Sequence, residues 1–281
     1  EAVKAGADII ISGAGLPVSI PEHVEAAYAE MKEDGQEMPA RRIKLAPIVS
    51  SAKSAMVICK MWDRKCHVAP DLVVIEGPLA GGHLGFSLDQ LTAYGADTGD
   101  VPATYDQAAY DEEVKAIIKV VGEYGDKYGR HIPVVTAGGI YTHEDVLHQL
   151  ELGADGVQVG TRFVTTRECD ASEAYKQEYI KARKEDIVIT KSPVGMPGRA
   201  IMNPFLRQIK SGDRPAIKSC FQCLEHCDIR TIPYCITMAL VKAAEGDTEH
   251  ALLFCGSNAY RAGKIDTVKH VMDDLMGEGQ E

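Results

Sequence analysis

The stretch Leu72 to Phe86, LVVIEGPLAGGHLGF, decides how the chain can be interpreted. Its first four residues, Leu72 to Ile75, are apolar throughout, which is typical of a strand covered on both faces of a parallel sheet. The apolar run ends at Glu76, and the three glycines around His83 remove side chains from the turn that follows. A flat ligand could therefore approach the backbone closely, with the imidazole as its nearest titratable group. The alternative is a tight loop whose histidine only forms a hydrogen bond with a neighbour.

Two later stretches repeat this pattern of an apolar strand and a glycine turn. They are residues 132–140, IPVVTAGGI, and residues 153–163, GADGVQVGTRF. Successive turns of this kind bring backbone N–H groups together, which suits a phosphate held after the last two strands of a βα barrel. The residues expected to contribute these groups are Gly138, Gly139, Gly160 and Thr161.

Short strands alternate with helical segments along the first two thirds of the chain, which predicts a parallel sheet with right-handed crossovers. Five such units can be counted, whereas a closed (β/α)8 barrel needs eight. At roughly thirty residues per unit, about ninety residues would be missing upstream. We therefore expect a TIM barrel whose first strands are absent from this chain. The alternative is an open, doubly wound sheet, with its ligand at a switch in strand order.

Two of the helical segments have clear limits in the sequence. One follows Ser50 and Ser51 and is predicted to continue to about Cys66. The other is predicted to extend from Asp111 to Tyr128, because apolar residues recur on one face of this segment.

The domain organisation follows from this interpretation. Residues 1–190 are predicted to form the barrel portion, and residues 191–281 an irregular segment with a small C-terminal helical cap of the same domain. Residues 87–110 are predicted to be a lid, with a surface insertion of no consequence as the alternative. Residues 192–199 are predicted to be an ordered irregular loop.

Composition and charge exclude several classes of protein. The chain has 30 Lys and Arg against 41 Asp and Glu, a formal charge of −11, and no basic stripe with interleaved aromatic residues. Nucleic acid is therefore not an expected partner. There is also no run of eighteen apolar residues and no leader pattern, so we expect a cytoplasmic protein without a membrane span.

Four of the eight cysteines are clustered in the sequence with the spacing Cys-x2-Cys-x3-Cys-x7-Cys; they are Cys220, Cys223, Cys227 and Cys235. This spacing can hold zinc or an iron–sulfur cluster, but it lacks the paired hairpins of a zinc ribbon. A cysteine-rich turn packed under the cap, with no metal, is the interpretation that the sequence favours.

Five motifs together resemble the nitronate monooxygenase family, formerly the 2-nitropropane dioxygenases, whose superfamily includes the FMN-dependent enoyl-acyl-carrier-protein reductase of the second type. The motifs are GADIIISGAGLP (6–17), AGGHLG (80–85), PVVTAGGI (133–140), GADGVQVGTRF (153–163) and FCGSNAYR (254–261). Three features depart from the family pattern: Leu79 where an acidic residue is common, the length of the loop after residue 86, and the cysteine segment.

The resemblance implies a (β/α)8 barrel with non-covalent FMN and with His83 as the catalytic histidine. Glu76 would take the place of the family's acidic or amide residue near the flavin. The other residues that would line FMN are Gly81, Gly82, Gly138, Gly139, Gly160 and Thr161.

The reaction that the resemblance implies is oxidation of alkyl nitronates with dioxygen, with His83 as base. The alternative within the superfamily is reduction of an enoyl thioester by NAD(P)H, and a further alternative is a flavin-binding module without catalysis. In either enzyme the substrate is a small molecule, and a homodimer is one assembly open to it.

Overall fold

The computed structural model describes residues 1–13, 15–97, 104–217, 219–224 and 227–278. These residues fall into two compact units. The first consists of residues 1–77, 108–137 and 148–157, and the second of residues 78–107, 138–147 and 158–281. The division predicted from the sequence, at residue 190, stays a prediction.

The main sheet contains five strands. They are β1 (Ile9–Ser12), β2 (Lys44–Val49), β3 (Val73–Glu76), β5 (Val134–Ala137) and β6 (Gly156–Gln158), in the order β1-β2-β3-β5-β6. The β1–β2, β2–β3 and β3–β5 pairs are parallel. The strands follow one another in chain order, as in a barrel, without the reversal that creates the ligand crevice of a doubly wound sheet.

Helices follow most of these strands and continue to the end of the described chain. They are α1 (Ile20–Glu33), α2 (Ala52–Cys66), α3 (Leu88–Ala93), α4 (Gln107–Lys127), α5 (His143–Glu151), α6 (Thr161–Val164), α7 (Glu173–Lys181), α8 (Pro204–Lys210), α9 (Ile236–Glu245) and α10 (Val268–Met276), with 3-10 turns at Lys184–Asp186 and Ala259–Arg261. Among the described residues, no helix combines the length and apolar character that crossing a membrane requires.

The first unit is organised around buried side chains of α2 and α4. Ile58 and Ile117 are fully buried, and the indole Nε1 of Trp62 donates to the carbonyl of Pro17 at 2.9 Å. A capping box at Ser51 starts α2, since its hydroxyl accepts a hydrogen bond from the backbone of the third helical residue. This packing fixes the helix that follows β2.

The second unit contains a small antiparallel sheet that the sequence did not predict. Its strands are β4 (Gly82–His83), β7 (Ile187–Lys191) and β8 (Pro197–Ile201), in the order β4-β8-β7. The predicted irregular loop at residues 192–199 was therefore wrong in part, because β8 begins at Pro197. The proline and glycines indicated a loop, but the β-branched run at 187–190 is itself typical of a strand.

The predicted loop or lid at residues 87–110 also contains regular structure. Helix α3 starts after Ser87, whose hydroxyl accepts from the backbone of Gln90 in a capping box, and α4 starts at Gln107. Part of the prediction, residues 98–103, lies outside the described residues. The function of this segment as a lid stays a prediction.

The core of the second unit has two clusters that meet along residues 251–255. Leu253 packs with Tyr179 and Ile187, and Leu252 packs with Phe205 and Tyr234. Both leucines are fully buried. Burial of a leucine side chain contributes about 1.5–3 kcal/mol, so this stretch is a firm support for the residues that follow it.

Candidate active site

His83 lies on β4 of the second unit, where its surroundings fix the imidazole ring. Its Nε2 is 2.7 Å from the hydroxyl Oγ of Ser192, and its ring meets the ring of Phe254 edge to face, with centroids 4.9 Å apart. Its other ring nitrogen, Nδ1, makes no hydrogen bond to the described part of the chain. The half-buried position lowers the pKa of His83 through desolvation. At neutral pH the ring is therefore predominantly neutral, with one nitrogen able to accept a proton.

Ser192 is positioned by the turn between β7 and β8. Its N–H donates to the carbonyl of Met196 at 3.1 Å, and its own carbonyl accepts from Gly195, whose φ is +85°. The side chain is 2% exposed. Because the hydroxyl oxygen also accepts from the N–H of Val194 at 3.4 Å, its direction toward His83 is set by the turn itself.

Arg199 on β8 holds the loop that precedes His83. The guanidinium is 1% exposed and donates to the carbonyls of Pro78 and Ala80, at 2.9 and 2.6 Å, and to that of Ala96. Burial lowers the pKa of Arg199 to about 10, so it remains cationic at neutral pH. Among the residues that the structure describes, its partners are backbone carbonyls and no carboxylate, so Arg199 is a structural anchor of the loop.

The segment Phe254–Asn258, which we call the FCGSN segment, contacts each turn of the candidate site. Phe254 packs on His83, and the N–H of Gly256 donates to Oγ1 of Thr161 at 3.2 Å. Nδ2 of Asn258 donates to the carbonyl of Gly139 at 2.6 Å. The histidine turn and both phosphate turns of the second unit are thus connected by one short segment.

Close backbone approach explains why glycine occupies position 81. A Cβ atom there would lie 2.6 Å from backbone atoms of Cys255 and Gly256. Gly82, with φ +72°, has free space where a side chain would point, so only its backbone conformation favours glycine. The FCGSN segment therefore packs against one face of the turn before His83.

The predicted phosphate turns differ in how they are built. Gly138 and Gly139 have φ of +98° and +84°, in the left-handed region, and a Cβ on Gly139 would clash with Leu79. Gly160 precedes α6 with a negative φ and has open space around its missing side chain. Of these turns, the one at Gly160 has room for a group that the chain does not itself supply.

One further observation fits a polar ligand near these turns. The hydroxyl of Ser257 is buried, and within the described residues it has no hydrogen-bond partner. Its neighbours along the FCGSN segment contact Thr161 and Gly139. Buried hydroxyls without a partner are costly, by about 1–3 kcal/mol, so a phosphate oxygen there would remove a penalty. The residues present fit the phosphate group of FMN.

Glu76 is located in the first unit, at the end of β3, where it pairs with Ala137 of β5. Its backbone carbonyl accepts a hydrogen bond from the hydroxyl of Tyr110 at 3.2 Å. The other proposed site residues, from Gly81 to Thr161, belong to the second unit by its bounds. The role of Glu76 near a flavin stays a prediction.

Three contributors to the candidate site were missed in the sequence: Ser192, Arg199 and Gly256. For Ser192 and Arg199 the signal would have been the pairing of residues 82–83 with residues 198–199, which no local pattern indicates. Arg162, which follows the Gly160 turn, binds the carboxylate of Asp274 at 2.6 Å. The side chain of Arg162 is thus paired with a carboxylate.

Comparison with known proteins identifies the group to which these features belong. A family model described as nitronate monooxygenase matches residues 24–278. A probable nitronate monooxygenase of Staphylococcus saprophyticus is 31% identical over 181 residues, which are 63% of this chain and 43% of that protein. Another, from Staphylococcus aureus, is 35% identical over 150 residues, 52% of this chain and 36% of that protein. The chain spans less than half the length of these curated relatives.

Two solved structures have a fold similar to that of this chain. FabK from Thermotoga maritima matches with a TM-score of 0.63 and 25% identity, over 99% of this chain and 69% of that chain. Nitroalkane oxidase from Streptomyces ansochromogenes matches with a TM-score of 0.60 and 20% identity, over 99% of this chain and 66% of that chain. The predicted fold class, an α/β barrel type with a parallel sheet, is confirmed.

Proposed function

Because the chain belongs to the nitronate monooxygenase family, we propose that the protein is an FMN-dependent oxidoreductase that oxidises alkyl nitronates with dioxygen. The observation that carries the proposal is the arrangement of His83. One ring nitrogen is held 2.7 Å from Ser192, and the other makes no hydrogen bond within the described residues. A half-buried histidine of this kind is suited to remove a proton from a small, weakly acidic substrate.

The hydrogen bond to Ser192 orients the imidazole ring of His83 and leaves Nδ1 as the nitrogen proposed to act. When Nε2 carries its proton and donates it to the Ser192 hydroxyl, the lone pair of Nδ1 is free to take the proton from the carbon next to a nitro group. The positive charge that forms on the ring is then shared with the hydroxyl oxygen of Ser192. His83 is the proposed catalytic base, and Ser192 is a positioning residue that orients its ring through this hydrogen bond.

Desolvation of the His83 ring favours the proposed proton removal at neutral pH. It lowers the pKa of His83 below the ordinary value of about 6.5, which keeps the ring in its neutral, proton-accepting form at neutral pH. Activity on a neutral nitroalkane should therefore decline only as the pH falls through that lowered pKa. A raised pKa would have the opposite effect and suppress the base at neutral pH.

The residues proposed to hold FMN are those of the glycine turns and their supports. Gly138, Gly139, Gly160 and Thr161 would bind the phosphate through backbone N–H groups, with the Ser257 hydroxyl as a further donor. Gly81 and Gly82 would lie along the ring system, and for Glu76 the proposal rests on the family resemblance alone. Bound FMN would supply the electron acceptor for the nitronate anion.

A second candidate function is reduction of an enoyl thioester by NAD(P)H. It is supported by the match to FabK, an enoyl-acyl-carrier-protein reductase of the second type, at 25% identity. In this reaction His83 would orient or protonate the substrate instead of removing a proton. Dioxygen is the co-substrate of the first reaction and NAD(P)H that of the second, so the co-substrate distinguishes the two.

Anaerobic mixing of the FMN-loaded full-length protein with each reductant tests the proposal. We expect ethyl nitronate to bleach the visible flavin absorbance much faster than NADH or NADPH, because the proposed site transfers electrons from a nitronate. A matched run with His83→Ala separates proton removal from electron transfer, since a preformed nitronate has already lost its proton. Rapid bleaching by NAD(P)H, with none by the nitronate, would favour the enoyl reductase.

A further inference from the structure

The hydroxyl of Tyr234 is buried in the core of the second unit, and within the described residues it has no hydrogen-bond partner. The side chain is 1% exposed, and its ring meets the ring of Phe205 edge to face, with centroids 5.1 Å apart. The packing of the core therefore fixes the ring. Folded proteins leave few buried hydroxyls without a partner, so the position of this one needs a physical reason.

Contacts on either side place Tyr234 next to the turn that carries Ser192. Pro193 and Cys235, which directly follow Ser192 and Tyr234 in the sequence, line the same small cavity. Val194, whose N–H donates to the Ser192 hydroxyl at 3.4 Å, packs against the buried cluster that contains Tyr234. The turn between β7 and β8 therefore lies against the part of the core that holds the tyrosine.

The same cluster reaches His83 by a second route. Phe254 packs against the cluster and meets the imidazole ring edge to face. The hydroxyls of Ser192 and Tyr234 are neighbours without the geometry of a regular hydrogen bond. Burial raises the pKa of Tyr234 to about 12, and hydrogen bonding by Ser192 acts against this increase. Tyr234 is therefore protonated at neutral pH, and its oxygen can accept a hydrogen bond from Ser192.

Uptake of a proton by His83 restricts what the Ser192 hydroxyl can do. In the neutral ring, Nε2 can either donate to Oγ of Ser192 or accept from it, across a distance of 2.7 Å. In the charged ring both nitrogens carry hydrogen, so Nε2 can only donate. The Ser192 hydroxyl must then direct its own hydrogen to another acceptor, and the oxygen of Tyr234 lies next to it.

We propose that Tyr234 is a second positioning residue for His83, and that its phenol oxygen accepts a hydrogen bond from the Ser192 hydroxyl when the imidazole ring becomes charged. The proton taken from the substrate stays on Nδ1, and no proton leaves Ser192 or Tyr234. The two hydroxyls only reorient, so that each oxygen stabilises the positive charge of the ring through the hydrogen bond that it accepts. The proposal rests on the proposed function in one respect, which is that His83 acts as a base.

The charged and titratable groups around the ring leave this role to the two hydroxyls. Arg199, on the strand paired with β4, directs its guanidinium to three backbone carbonyls. Burial raises the pKa of the Cys255 thiol to about 12, so this group of the FCGSN segment is neutral at neutral pH. Lys191, which precedes Ser192, is exposed. Desolvation lowers the pKa of His83, and no charged neighbour in the described part of the chain shifts it.

A pH titration of His83 in the full-length protein, followed by the nitrogen NMR resonances of its ring, tests the role of Tyr234 without any substrate. Tyr234→Phe keeps the ring and removes the oxygen. We expect this variant to lower the pKa of His83 by about 0.4–1, as for the loss of one hydrogen bond, because only the charged ring requires the acceptor. Its kcat/KM for nitroethane should decrease roughly 2–10-fold, with no change for ethyl nitronate.

Tyr175→Phe is the matched control. It also removes a buried tyrosine hydroxyl near the site, one that donates to the carbonyl of Phe254 at 2.9 Å. Tyr179 donates to the same carbonyl, so the position of Phe254 should be kept. We expect the pKa of His83 in this variant to equal that of the wild type. An unchanged pKa in Tyr234→Phe, or an equal decrease in both variants, would overturn the proposal.

Ser192→Ala gives a second measurement if Tyr234→Phe fails to fold. Tyr234 can act on His83 only through Ser192, so this variant should lower the pKa of His83 at least as far, and an unchanged value would equally overturn the proposal. Bleaching of FMN by ethyl nitronate tests the proposed reaction separately. If bleaching fails and the titration gives the expected decrease, the reaction is wrong and the role of Tyr234 stands. The opposite result would remove only Tyr234.

Discussion

Two arginines of the second unit each donate hydrogen bonds to three backbone carbonyls, and they differ in burial. Arg199 is 1% exposed and holds residues 78–80 next to His83. Arg214 is exposed and holds residues 229–232, which lie between Cys227 and Cys235 in the sequence. The first loop is organised completely by the protein, whereas the second has a frame but little packing of its own.

This difference shows which contacts hold each of the two loops in its conformation. Around His83, strand pairing, the FCGSN segment and a buried cation leave the turn a single well-supported conformation. Around residues 229–232, exposed apolar side chains such as Ile229 and solvent-accessible hydrogen bonds contribute little free energy. We therefore expect a substitution that disturbs the support of the histidine turn to cost more stability than one in the loop at residues 229–232.

The largest expected effect is on the free energy of unfolding, and it should differ between substitutions of the two arginines. Arg199→Met should lower the free energy of unfolding by about 3–5 kcal/mol, because buried carbonyls lose their charged donor. Arg214→Met, the matched control, should cost less than about 1 kcal/mol, since water can replace the donor. Urea unfolding of both variants measures the difference. Equal losses would show that the two loops are not organised differently.

A smaller difference in stability is expected between substitutions of two glycines. One of them lies against backbone atoms, and the other borders open space. Gly81→Ala should cost about 1–3 kcal/mol, because its Cβ would overlap the backbone of Cys255. Gly160→Ala, which meets nothing within 4 Å, should be within about 0.5 kcal/mol of the wild type. Thermal unfolding provides the comparison.

A substitution at Gly160 also tests whether this turn binds the phosphate of FMN. Gly160→Val should leave folding nearly unchanged and weaken FMN binding, because the branched side chain would fill the space proposed for the phosphate. Gly139 is unsuitable for this test, since its φ of +84° makes any side chain strained. Titration with FMN, followed by flavin fluorescence, measures the effect. Unchanged affinity would remove the Gly160 turn from the site.

The sequence was sufficient for the features that local patterns encode. Apolar runs followed by glycines identified the parallel strands and the turns at His83, Gly138 and Gly160, because a strand and its turn are contiguous in the chain. The helices α2 and α4 were also predicted near their observed bounds. The family resemblance was confirmed by the family model.

The features that were not predicted depend on contacts between residues that are far apart in the sequence. Ser192 is 109 positions from His83, and Arg199 is 121 positions from Pro78. Both contacts follow from the pairing of β4 with β8, and a two-residue strand such as β4 has no recognisable period. Convergence of the four cysteines on one small cavity is likewise tertiary, so spacing alone left zinc, iron–sulfur and metal-free alternatives open.

The central claim is that His83 removes the proton from a neutral nitroalkane. The most direct measurement is the ratio of kcat/KM for nitroethane to kcat/KM for ethyl nitronate, in the wild type and in His83→Asn. General-base catalysis contributes about 10²–10⁴-fold, so we expect the variant to lose this much on nitroethane and far less on the nitronate. In the wild type, the nitroethane rate should decline with falling pH only below the ordinary pKa of histidine, because desolvation lowers that of His83. Equal losses on both substrates would contradict the claim and make His83 a residue that positions the substrate.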